Sequence, residues 1–160
     1  MAVSVFLDTS VLLAGLIDFG PQSRHALQIL HAVSEGTLPR VGTAWHCCLE
    51  LYSVATRLPA EYRLSPTDAT TLLRSEIFAR LGVHDLPSAD RVPFLGAMAQ
   101  DGIAGGRVYD AHIAEVARAA GAQVIVTDNR RHFLAALRHG IRVETAEEFA
   151  AALKRDRASC

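Results

Sequence analysis

The sequence predicts an α/β domain whose mostly parallel sheet is covered by helices on both faces. Short β-branched and aromatic runs recur along the chain, longer stretches of helical period separate them, and Gly, Pro and Ser punctuate the joins. The expected strands are Val3 to Leu7, Arg40 to Thr43, Val83 to Leu86, Val124 to Thr127 and Ile141 to Val143. Gly20-Pro21 starts a helix, and Pro59 ends another. Ser65 reads as an N-cap with Pro66 at the first helical position, and Gly121 closes a later helix. Residues 88–107 contain Pro93, Gly96, Gly102 and the pair Gly105-Gly106, so a short helix leading into a loop is expected there.

At 160 residues the chain fits one domain, expected over 1–150 with a C-terminal tail over 151–160. Half the residues are hydrophobic and 21% are charged, a balance that excludes disorder and a membrane protein. No uninterrupted apolar run of about 18 residues occurs, and the N-terminus lacks the basic flank and cleavage site of a secretory signal. A cytoplasmic location without membrane contact is the expectation. Cys47 and Cys48 are adjacent and Cys160 is terminal, a poor disulfide framework, so the thiols are expected to be reduced. The net charge of −1 does not mark a basic nucleic-acid-binding domain. Charge is uneven, however: residues 129–142 hold Arg130, Arg131, Arg138, Arg142 and two histidines without one acid.

Four acids stand in unusual places. Asp8 ends the first apolar strand and Asp128 follows the strand Val124 to Thr127. Ligands of open parallel sheets bind beyond the carboxyl ends of the strands, so neighbouring strands would bring these two carboxylates to one rim. In AWHCCLELYSVATRL, Cys47, Leu51, Val54 and Leu58 form an apolar stripe, with Glu50 roughly 70° from its centre at about 100° per residue. In RVYDAHIAEVARAAG the stripe is Tyr109, Ile113, Val116, Ala117 and Ala120, and Asp110 lies roughly 70° off in the same way. Each acid has a structural reading by itself: Asp8 and Asp128 as caps of the helices that follow, Asp110 as a first-turn acid favoured by the helix dipole. As a converging set they would repel one another, and partial burial would raise the cost unless a cation or proton joined them. An oxygen-only cluster suits Mg²⁺ or Mn²⁺ rather than zinc.

FLDTSVLLAGL around Asp8, HCCLELYSVATRL around Glu50, GGRVYDAHIAEVARAAGA around Asp110 and VIVTDNRRHF from Val124 to Phe133 together resemble the PIN-domain nucleases, and within them the VapC-like toxins of type II toxin–antitoxin pairs. The resemblance covers most of the chain in the family's order. It implies a three-layer α/β/α sandwich with a parallel five-stranded sheet and metal-dependent cleavage of RNA, leaving a 3′-hydroxyl and a 5′-phosphate. Asp8, Glu50 and Asp110 match the family's first three acidic positions. For the fourth, Asp128 is favoured on charge, while the family's usual spacing points to Asn129, with Thr127 as a nearby hydroxyl. Asp8 and Asp110 are expected to hold the principal Mg²⁺ (Mn²⁺ in its place), Glu50 to bind directly or orient the attacking water, and Asp128 or Asn129 to complete the shell. Arg107, Arg130 and Arg131 are the candidates for RNA phosphate contacts. A cognate antitoxin and a homodimer are further implications of the resemblance.

Other signals are discounted. His46-Cys47-Cys48 lacks a second cluster at zinc-ligand spacing, and neighbouring helical residues point apart. An aspartyl phosphohydrolase would need a second acid two residues after Asp8, where Ser10 stands. No Walker-type phosphate loop occurs. The rival from another class is a noncatalytic RNA-binding or scaffold protein of the same fold.

Overall fold

The strands that carry no charge take the centre of the sheet. β1 (Val5–Leu7) and β4 (Val124–Val126) are apolar and buried throughout. β2 (Val41–Ala44) is equally buried, and its one hydroxyl, Thr43 Oγ1, donates to the Leu7 carbonyl at 2.8 Å. β3 (Gly82–His84) and β5 (Arg142–Glu144) are partly exposed and form the edges. Every pairing is parallel, in the order β3-β2-β1-β4-β5. Buried apolar runs are what a parallel sheet between two helical layers requires. The structure, a computed structural model, describes residues 3–158 and has the α/β sandwich that the sequence predicts. Cys160 lies outside the described residues.

The helices are α1 (Thr9–Leu16), α2 (Arg24–Ser34), α3 (Trp45–Ala55), α4 (Pro66–Leu72), α5 (Ser88–Gln100), α6 (Arg107–Ala119), α7 (Leu134–Leu137) and α8 (Ala146–Ala158). α2 packs on α1 and α8, α3 packs on α1, and α6 carries α5 and α7. The approach of α1 to α2 depends on Gly15. A Cβ there would lie 2.6 Å from Leu30 Cδ1 and 3.1 Å from the Ala26 carbonyl oxygen.

The punctuation acts as expected in several places. Ser65 Oγ accepts from the Asp68 N–H at 3.0 Å at the start of α4. Gly121, at φ 80°, follows α6 in the left-handed region where glycine carries no steric cost. Gly20 opens a 3₁₀ turn, Gly20–Ser23, that leads into α2, while α4 continues as a π-helical turn, Leu73–Phe78. α5 is longer than the expected short helix and runs through Pro93. None of its side chains is buried, so no apolar stripe marked its length. α8 crosses position 150 and stays helical to Ala158, with Phe149 and Ala150 buried and Leu153 packed against the core.

The chain order positions the site. From β1 the strands proceed outward to β2 and β3, then the chain returns to place β4 on the other side of β1. The order therefore reverses between β1 and β4, and the crevice beyond their carboxyl ends is the natural ligand position. Asp8 directly follows β1 and Thr127 directly follows β4.

Candidate active site

The sheet itself fixes Asp8. Its N–H donates to the Val126 carbonyl at 3.1 Å, which prolongs the β1–β4 pairing past the end of β1. Asp8 occupies the N-cap position of α1 with extended backbone, yet its side chain makes no cap bond. Its Oδ2 instead accepts from Thr127 Oγ1 at 2.8 Å and from Ser10 Oγ at 3.1 Å. At 4% exposure it is the one buried acid among the described residues. Burial pushes its carboxyl above the usual carboxylate range; the Thr127 and Ser10 hydroxyls oppose that shift, and the charge of Glu50 adds to it.

Thr127 is held in turn by its N–H, which donates to the Glu144 carbonyl at 2.9 Å, and its Oγ1 accepts from the Asn129 N–H at 3.0 Å. Thr127→Val removes both roles of the hydroxyl while keeping its volume. A loss of about 1–3 kcal/mol is expected, because the buried carboxylate loses a donor and an N–H loses its acceptor. Urea unfolding of the metal-free protein measures it, and unaltered stability would mean the hydroxyl does not support Asp8.

Glu50 reaches the same place from α3. Cys47, Cys48, Leu51 and Ala55 are buried, which leaves Glu50 exposed on the helix. Its Oε2 accepts from Thr9 Oγ1 at 2.7 Å, so the first residue of α1 receives the acid of α3. The two thiols beside it are ordinary core residues. Burial pushes Cys47 up to about 12 and Cys48 up to about 11, as for thiols packed in a core.

Asp110 comes from α6, where the buried face is Ala111, Ile113, Ala114, Val116 and Ala117. This corrects the stripe read from sequence: Tyr109 is 56% exposed and stacks on His46 of α3, with ring centroids 5.0 Å apart and an interplanar angle of 10°. Asp110 therefore does not flank the core stripe. It shares the face of Ile113, Ala114 and Ala117, three, four and seven residues on. Its Oδ2 lies 3.2 Å from His132 Nδ1. Burial pushes its carboxyl up, His132 pulls it down, and Glu50 pushes it up again.

The Thr9–Glu50 hydrogen bond joins α1 to α3 and the stacking of Tyr109 on His46 joins α6 to α3, so the three acids stand on elements that meet, and the charge of Glu50 pushes both other carboxyls up. All three are engaged by neighbours: Asp8 by Thr127 and Ser10, Glu50 by Thr9 and Asp110 by His132. Among the described residues, no three His, Cys, Asp or Glu side chains stand as a closed ligand set. The donors fit a hard divalent cation nonetheless. They are all oxygens, they include a desolvated carboxylate that a positive charge would relieve, and Mg²⁺ keeps several waters and needs few protein ligands.

The model for the PIN domain matches residues 4–131, a stretch that contains Asp8, Glu50, Asp110 and Thr127. The chain belongs to the PIN domain family. A curated relative, Ribonuclease VapC27 of Mycobacterium tuberculosis, is 40% identical over 85 residues, 53% of this chain and 60% of that protein. Ribonuclease VapC40 of the same species is 31% identical over 126 residues, 77% of this chain and 85% of that protein. The crystal structure of PAE2754 from Pyrobaculum aerophilum aligns with a TM-score of 0.62 at 20% identity, over 97% of this chain and 99% of that one. The chain is therefore VapC-like within the PIN domain family.

In this PIN domain Asp128 meets the group through its backbone, while its carboxylate turns towards α8. Asp128 Oδ1 accepts from the Ala146 N–H at 3.3 Å, at the start of α8, while the Asp128 N–H donates to Ser10 Oγ at 3.1 Å. β4 ends at Val126, so strand alternation does not govern residues 128 and 129, and both are exposed. Arg107 and Arg131 line a cleft that also includes Asp110. Arg130 is paired with Glu148, on α8. Sequence reasoning missed the parts played by Thr9 and Ser10. The tripeptide Asp8-Thr9-Ser10 carries a usable signal, since two hydroxyls at a helix start are free to bond outward. Among the described residues, no helix is long and apolar enough to cross a membrane.

Proposed function

We propose that this PIN domain is a divalent-metal-dependent endoribonuclease and the toxin of a toxin–antitoxin pair. The observation that carries the reading is a buried carboxylate, Asp8, beyond the β1–β4 switch point, with Glu50 held by the adjoining Thr9 and the helix of Asp110 stacked against that of Glu50. The VapC ribonuclease relatives support the substrate class.

Asp8 and Asp110 would hold the ion, Mg²⁺ or Mn²⁺, with Glu50 third and Asp128 or Asn129 completing the shell. When bound, the ion supplies neutralising charge for the acids and polarises the phosphoryl oxygen. Ser10 and Thr127 keep Asp8 in one rotamer. Glu50, on the solvent side, orients a water for attack on phosphorus opposite the 3′-oxygen. The new P–O bond forms as the P–O3′ bond breaks, and the proton lost by water ends on the 3′-oxygen, giving a 3′-hydroxyl and a 5′-phosphate. Arg107, Arg130 and Arg131 would contact backbone phosphates, which position the strand without reading its bases.

Purified protein incubated with single-stranded RNA and Mg²⁺ is expected to cut it, to stop on chelation and to resume with added Mn²⁺. Mapping the 5′ ends of the products locates the cuts. Intact RNA with both ions would sink the reading. A noncatalytic scaffold is the second reading, favoured by the turn of Asp128 towards α8 and by the engaged state of Glu50 and Asp110. Calorimetric titration separates the two: saturable Mn²⁺ binding supports the enzyme, and its absence from protein that still binds RNA supports the scaffold.

A toxin acts on RNA in the cytoplasm and needs an antitoxin, and the VapC-like resemblance extends to a homodimer. Exposed Trp45, Leu49, Tyr52 and Phe78 border an apolar groove of about 270 Å³, surface that suits a protein partner. Growth arrest on expression, relieved by the neighbouring reading frame, is the cell-level test.

A further inference from the structure

The segment that follows β4 touches two of the three acids. At its start Thr127 Oγ1 donates to Asp8 Oδ2 at 2.8 Å, and near its end His132 Nδ1 lies 3.2 Å from Asp110 Oδ2. Between them the Asp128 N–H donates to Ser10 Oγ at 3.1 Å and the Asn129 N–H to Thr127 Oγ1 at 3.0 Å. Both amides therefore bond the hydroxyls that donate to Asp8. Buried Phe133 pins the far end. Residues 127–133 thus form a clip that spans Asp8 and Asp110, and its position depends on what holds it from behind.

The join of β5 to α8 holds it at three points. The Thr127 N–H donates to the Glu144 carbonyl at 2.9 Å, Asp128 Oδ1 accepts from the Ala146 N–H at 3.3 Å, and Arg130 is paired with Glu148. Glu148 is the most connected of the holding groups. Its Oε2 accepts from the Thr145 N–H at 2.9 Å as well as from Arg130, and its own N–H donates to Thr145 Oγ1 at 3.2 Å. Thr145 and Glu148 are a capping box. The box fixes the Glu148 carboxylate on the first turn of α8 and presents it to Arg130, the residue that opens the 3₁₀ turn carrying His132.

We propose that Glu148 is a positioning residue of the reaction centre, which acts through Arg130 to hold the clip with Thr127 against Asp8 and His132 against Asp110. Its catalytic consequence rests on the nuclease reading above. Glu148 has hydrogen bonds to Thr145 and Arg130 and none to the three acids, so it reaches them only through the clip. The pair with Glu148 does not use up Arg130. A guanidinium has five N–H donors, which leaves some for a phosphate. Breaking the pair would free the whole group for RNA, so it would loosen the acids without weakening the hold on the strand. An arginine that served RNA alone would show the opposite kinetic signature.

Glu148→Gln isolates the pair, because glutamine serves in a capping box as glutamate does and brings no charge to Arg130. In the metal-free full chain, NMR is expected to show the Asp128 and Asn129 amides exchanging about threefold to fivefold faster, the scale of a solvent-screened ion pair. The melting temperature should change by less than about 4 °C. Calorimetric titration with Mn²⁺ should show affinity weaker by a similar factor, and cleavage of RNA with Mg²⁺ a lower kcat with KM unchanged or lower. Arg130→Gln should lower kcat to the same degree, and the two changes together no further. Unaltered amide exchange in Glu148→Gln would overturn the hold on the clip. A lower KM at unaltered kcat would overturn it as well and make Glu148 a competitor of RNA for Arg130. Additive losses in the double variant would overturn the action through Arg130. Faster exchange in a chain that cuts no RNA would overturn the nuclease reading and support the hold on the clip.

Discussion

Asp110→Asn is expected to lower RNA cleavage at least about 100-fold, beyond the range seen when groups behind a metal ligand are altered, because the proposed site makes Asp110 itself a ligand. The fold should be untouched. Asparagine keeps the shape of the side chain and an oxygen that can face His132 Nδ1, now 3.2 Å from Asp110 Oδ2. The change also removes a carboxylate that burial disfavours and that Glu50 repels, so the melting temperature should stay level or rise slightly. Single-turnover cleavage beside thermal unfolding reads both effects. Full activity in protein free of contaminating nuclease would remove the central residue of the mechanism.

Asp8→Asn is expected to abolish cleavage to a similar degree and, in the metal-free protein, to raise stability at neutral pH. The sign follows from the direction of the shift. The folded carboxyl ionises less readily than its ordinary value of 3.8 because it is buried. Its stability contribution is therefore complete below that value and is lost as pH rises through the folded pKa. At neutral pH the cost of the raised pKa is present in the wild type and absent from the variant. The gain should shrink as the pH falls towards 4 and below. Each 1 kcal/mol corresponds to about 2–4 °C for a domain of this size. Saturating Mg²⁺ should reverse the ranking: at about 100 times Kd a ligand adds about 2.7 kcal/mol to the protein that binds it, and the variant should gain little. A metal-free variant less stable than wild type at pH 7, or one equally stabilised by Mg²⁺, would contradict the role given to Asp8.

These expectations draw on residues of unequal legibility. Asp8 was conspicuous because an acid directly after an apolar strand has no use in a core. Thr127 was marked only as a nearby hydroxyl, yet its Oγ1 lies 2.8 Å from Asp8 Oδ2 across 119 positions of sequence. Glu50 was singled out by helical period, and it is an exposed residue of α3 held by Thr9, on a helix that buries Cys47, Cys48, Leu51 and Ala55. The stripe drawn through Tyr109 was wrong because an exposed aromatic ring, stacked on His46, has the same apolar signature as a core residue. Residues 88–107 misled for the opposite reason. Pro93 and Gly96 oppose helix by local preference, and α5 buries no side chain whose spacing could have outweighed them.

Asp128 marks the boundary between the two kinds of information. Its charge and its place after β4 made it the favoured fourth acid, but its carboxylate accepts from the Ala146 N–H. The helix that claims it begins 18 residues later, and no local pattern ties those positions together.

The sequence by itself determined the alternation of strands and helices, the apolar character of the strands, and the acids that follow β1 and β4, because period and hydropathy are properties of short segments. The tertiary structure decided which strands are neighbours, that the order reverses between β1 and β4, and which hydroxyl, histidine or arginine meets each acid. Those pairings come from long-range packing, in which residues more than a hundred positions apart are brought to within a hydrogen bond.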